Sequence, residues 1–146
     1  MIFSEQQIFS DKQAVTAAAV STNVIDLGAA GTPYGAAAAL NHDVGKGTKV
    51  PVLAQVTTAF GTAAGMTALT IALETGATVA LGTVVLSQTI LLADLVAGKQ
   101  VSFDVLPNDL TGRYLGFRYT PVTGNANAGA ITAGITMGNQ TNTTGA

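Results

Sequence analysis

Apolar and polar residues alternate in short runs along most of this 146-residue chain. Val50, Val52, Ala54 and Val56 alternate with Pro51, Leu53, Gln55 and Thr57, the period of a half-buried strand. Leu69, Ile71 and Leu73 do the same against Thr70, Ala72 and Glu74, and Val101, Phe103 and Val105 against Ser102, Asp104 and Leu106. The cleanest alternation sets Leu115, Phe117 and Tyr119 against Gly116, Arg118 and Thr120. Ile131, Ala133, Ile135 and Met137 continue the pattern, with shorter candidates at Asn23–Leu27 and Val84–Ile90.

Turn residues separate these runs: Gly31-Thr32-Pro33, Gly45-Lys46-Gly47, Gly61 to Gly65, Gly76, Gly98, Pro107-Asn108-Asp109 and Gly124 to Asn127. Short strands at near-regular spacing predict an all-β antiparallel sandwich or barrel. Alanine is abundant, but glycines spread through almost every stretch would break helices repeatedly. Only single turns are expected, at Ala93–Ala97 with Gly98 after it and at Ala36–Leu40. Val52, Val56, Leu69, Ile71, Leu73, Val101, Phe103, Leu115, Phe117 and Ile131 form the predicted core.

The ends break the pattern. Met1 to Asp11 carries Ile2, Phe3, Ile8 and Phe9 without sustained period, and Asn139 to Ala146 is polar. The expected division is an N-terminal arm over 1–12, a β-sandwich domain over 13–138 and a C-terminal tail over 139–146.

Only 10% of the residues are charged, although 48% are hydrophobic, so a partner is expected to cover part of the surface. The formal net charge of −2 argues against nucleic acid as a partner, since phosphate binding needs clustered Lys and Arg. Lys46 and Lys49 are the only basic cluster and are expected in a solvated loop. No apolar run reaches the length of a membrane span, and the N-terminus has no export-signal pattern. The chain is expected to fold in a cytosol without export. The sequons at Asn139 and Asn142 then carry no meaning.

Chemistry is sparse. There is one histidine, His42, and no cysteine, which leaves neither a histidine-based metal site nor a thiol nucleophile. Asp104 and Asp109 flank a turn, where Asp109 has an ordinary turn-stabilising role and no acidic neighbours complete a calcium shell. No phosphate loop, cofactor site or catalytic site is expected, and the chain is read as a non-enzyme. Arg113 and Arg118 lie beside Tyr114 and Tyr119, and arginine and tyrosine are common interface anchors. In a regular strand, parity places Arg113 on the face of Phe117 and Arg118 on the other. The favoured reading has Arg113 instead begin the strand at its exposed end, and Arg118 is either an anchor or a solvent-face charge.

Three segments in order give a more specific likeness. Ser10-Asp11-Lys12-Gln13-Ala14-Val15-Thr16 leads into Ser21 to Gly28; Pro51 to Thr57 follows; Leu106-Pro107-Asn108-Asp109-Leu110-Thr111-Gly112-Arg113-Tyr114-Leu115 precedes Tyr119 and the run toward Asn142. The chain resembles the capsid cement, or decoration, proteins of tailed phages, typified by one from a Bordetella phage. The resemblance implies a jelly-roll-like sandwich that sits as a homodimer on the outer surface of an icosahedral head. There it would bridge capsomers of the major capsid protein, having been made in the host bacterial cytoplasm. Phe3, Ile8, Phe9, Arg113, Tyr114 and Arg118 are the candidate interface residues, with ordinary packing under the sheet as the equal alternative for Phe3 and Phe9. Low charge is expected on the dimer seam and the capsid-facing side, with more than a proportionate share of charges facing outward. The alternative is a tail or fibre component or a carbohydrate-binding sandwich, for which Tyr34, Tyr114 and Tyr119 are the aromatics predicted outside the core. A cupin-like enzyme would need a histidine cluster that the chain lacks.

Overall fold

The structure, a computed structural model, describes residues 3–39, 50–62, 65–103, 110 and 112–137. Its strands are β1 (Phe3–Ala14), β2 (Ala19–Val20), β3 (Ile25–Asp26), β4 (Val52–Thr62), β5 (Ala68–Gly76), β6 (Thr83–Leu91), β7 (Gln100–Phe103), β8 (Tyr114–Val122) and β9 (Ala126–Thr136). They form two antiparallel sheets, ordered β1-β9-β4-β7 and β2-β8-β5-β6. β3 pairs with β8 on the side that β2 also occupies. When β2 and β3 are taken as one interrupted strand, the order is that of a jelly roll, in which the chain passes back and forth between two sheets.

Side-chain alternation builds the core. All ten predicted core residues are buried, joined by Phe9, Val15, Ala54, Leu95, Tyr119 and Ala133. Phe117 on β8 is the aromatic hub: Phe9 meets it edge-on at 5.3 Å between ring centroids, Phe103 lies at 5.7 Å, and Tyr119 stacks at 6.1 Å. Phe9 and Phe103 come from one sheet and Phe117 and Tyr119 from the other, so this cluster spans the sandwich. The burial of each large apolar side chain contributes about 1.5–3 kcal/mol.

The N-terminal segment differs from expectation. Residues 3–12 are not a separate arm but most of β1, paired with β9 from Phe3↔Thr136 to Ala14↔Ala130. Phe9 and Val15 hold the strand down, and three register shifts along it conceal its alternation in the sequence. The Ala93–Ala97 turn appears as a short 3-10 helix over Leu92–Asp94, followed by Gly98 at φ +91°. Residues 36–39 form no helix, and Gly61 lies inside β4 rather than in a turn. The expected C-terminal tail, His42, Lys46, Lys49, Asp104 and Asp109 lie outside the described residues. Among the described residues no helix is long and apolar enough to cross a membrane.

Candidate interaction surface

Strand parity sends Glu74 and Arg118 to the outer face of the second sheet, away from Phe117. Glu74 is nevertheless only 4% exposed. The segment after β5 folds back over this face, bringing Leu81 close above Gly76 and Gly116, where a Cβ would meet it at 2.7 and 3.0 Å. Arg118 Nε donates to Glu74 Oε2 at 2.8 Å, and its Nη2 donates to the Ala80 carbonyl at 2.7 Å. The arginine therefore ties the β5–β6 turn to the sheet. Its guanidinium is committed within the chain, so Arg118 is not a free interface anchor.

Arg113 precedes β8 and grips Asp26 of β3 through two parallel bonds, Nε to Oδ1 at 2.7 Å and Nη2 to Oδ2 at 2.6 Å. The Arg113 guanidinium holds the Asp26 carboxyl below the usual carboxylate range, helped by the Gly28 amide that donates to Oδ1 at 2.8 Å. The arginine is held correspondingly higher by Asp26. Its guanidinium carbon also lies 5.1 Å from the Tyr114 ring centroid. This pair is about half exposed, so Arg113 and Tyr114 present a flat, pre-organised edge beside β3.

The remaining candidates differ in burial. Phe3 and Ile8 on β1 are half-buried, whereas Phe9 is fully buried and serves the core. Phe3 closes against β9, where a Cβ on Gly134 would come within 2.9 Å of its ring. Arg113 and Tyr114 belong to the other sheet, but Ile8 reaches toward them, since Asn23, three residues before Asp26, donates through Nδ2 to the Ile8 carbonyl at 3.4 Å. No single surface gathers all six. Tyr119, predicted outside the core, is fully buried, which removes it from any exposed aromatic platform. Burial raises its phenol pKa well above the ordinary value, and its hydroxyl pairs with Ser10 Oγ at 2.8 Å. Ser10 donates in turn to Gln13 Oε1 at 2.7 Å, and Gln13 Nε2 donates to the Val20 carbonyl at 2.8 Å. This chain of bonds fastens β1 to β2 across the two sheets. Its sequence signal was the polar Ser-x-x-Gln spacing, which has no meaning until the fold supplies Tyr119.

Among the described residues, no three His, Cys, Asp or Glu side chains converge. A groove of about 490 Å³ lies between β6 and β7, with Gln88, Ile90, Asp94, Lys99 and Val101 in its lining. Gln88 Nε2 donates across it to the Ser102 carbonyl at 3.4 Å.

What the fold defines is a two-sheet antiparallel jelly roll whose described arginines are spent on holding its own loops and edges. The sequence places it further: the chain belongs to the Bbp16 family, a family of Bordetella phage proteins, whose family model matches residues 9–135. That match runs from β1 into β9 and so takes in both sheets. No curated protein matches the chain.

Proposed function

We propose that this chain is a capsid cement protein, bound as a homodimer to the outer surface of a phage head and bridging neighbouring capsomers of the major capsid protein. It works by binding alone, without catalysis or cofactor. The observation that carries this reading is membership of a phage protein family along nearly the whole sandwich. The surface chemistry agrees with it: Asp26, Glu74, Arg113 and Arg118 are neutralised in internal pairs, which leaves less free charge for a contact to desolvate. Repetition around a closed shell then supplies avidity that one weak contact could not.

Quantitative mass spectrometry of purified virions tests the reading. The expected result is a copy number comparable to that of the major capsid protein. A few copies per particle, or labelling confined to the tail tip, would overturn it.

A further inference from the structure

A sheet edge exposes a row of backbone donors and acceptors, and a chain that stays monomeric blunts it with charge, proline, bulges or brevity. Among the described residues this sandwich has four such edges, and three are blunted. β1 carries Glu5, Asp11 and Lys12, three register shifts, and Lys12 itself at φ +45°. The β2/β3 edge is made of two-residue pieces. β7 has four residues, and the Gln88 side chain already donates to its Ser102 carbonyl.

β6 is different. Its nine residues, Thr83-Val84-Val85-Leu86-Ser87-Gln88-Thr89-Ile90-Leu91, contain neither a charge nor a proline. They pair along their length with β5, with one register shift near the start of the strand. On the other side no described strand pairs with it. Val84 and Leu91, 55% and 63% exposed, stand near opposite ends of the strand.

We propose that β6 is the seam of a two-fold dimer, pairing antiparallel with β6 of a second copy. Two features select a second copy as the occupant. A two-fold contact sets each residue near the midpoint against itself, so any charge there would face its like; β6 has none. Antiparallel pairing also brings the Leu91 end of one copy beside the Val84 end of the other, so each exposed apolar side chain gains a neighbour. The two β2-β8-β5-β6 sheets join into one continuous sheet, and backbone hydrogen bonds supply the contact that the scarce charged side chains do not. This names the surface used by the dimer of the cement reading and rests on that reading for its biological use.

Ser87 is the midpoint of β6, exposed and facing away from the core. The full-length chain is expected to sediment as a dimer, and Ser87→Lys to weaken that dimer by about tenfold or more in Kd. Ser4→Lys, a substitution at an exposed position on β1, should leave the mass unchanged. The chain has no cysteine, so Ser87→Cys provides a single thiol that a short bifunctional maleimide should join to its copy. Circular dichroism of each variant reports folding. A folded Ser87→Lys variant that stays dimeric, a monomeric parent at all concentrations, or dissociation caused by Ser4→Lys would overturn the seam. Virion copy number stands apart from these readouts: a decorating dimer that Ser87→Lys leaves intact defeats the seam alone, and a β6 dimer absent from virions defeats the cement reading alone.

Discussion

Replacing Arg118 by methionine asks how much the fold depends on one ion pair. The substitution leaves a carboxylate, Glu74, that is 5% exposed at its side chain and bonded to Arg118 at 2.8 Å. Breaking a fully buried pair by removing one partner costs about 3–5 kcal/mol, chiefly because the other charge stays buried. The Arg118 side chain is 32% exposed, so water already screens one end of the pair and the cost belongs at the bottom of that range. Loss of the bond to the Ala80 carbonyl adds about 1 kcal/mol. A total near 3–4 kcal/mol is a large share of the ~5–15 kcal/mol typical of a domain. In urea denaturation with a slope of about 2 kcal/mol/M, the midpoint should fall by about 1.5–2 M. Pairing Arg118→Met with Glu74→Met removes the stranded charge and should recover most of the loss. A midpoint shift below about 0.5 M, or a double variant no more stable than Arg118→Met alone, would refute the reasoning.

Two further perturbations probe other parts of the sandwich. Gly129, at φ +141° in β9, leaves no room for a side chain: a Cβ would lie 2.6 Å from Phe60 Cγ, so Gly129→Ala combines backbone strain with a clash in the core. It should destabilise by about 2–4 kcal/mol in the same urea assay, and a neutral outcome would mean that Phe60 can move aside. For Asp26, whose pKa is lowered in the folded state, the stabilisation from Arg113 is present above the ordinary carboxylate range and is lost as pH falls through the folded-state pKa. The difference in Tm between the parent and Asp26→Asn should therefore shrink to nothing on acidification, and a difference that persists at low pH would assign it to packing instead.

Period-2 alternation revealed the core positions of β4, β5, β7, β8 and β9 because each of these strands has one face turned to the opposite sheet. It did not reveal that Phe9 belongs with them, since the register shifts of β1 destroy the period on which such a reading depends. Tyr119 shares the parity of Phe117, yet it was predicted outside the core. The fold buries it by supplying Ser10, more than a hundred residues away, as partner. Glu74 and Arg118 appeared only on the polar phase of two separate strands. Their meeting needed the cross-strand register Ala72↔Arg118 and Glu74↔Gly116, together with a turn that folds over both.

The sequence by itself determined the all-β class, the apolar face of most strands and the family, because local periodicity and residue order are properties of the chain alone. Tertiary structure decided which strand edges are protected, which charges are used up and which candidate residues share a surface. Those are relations between segments far apart in sequence, and only sheet order and register create them. The shortage of charge was visible from the composition. That the described arginines are bound internally, while uncharged β6 stands last among the described strands of its sheet, was not.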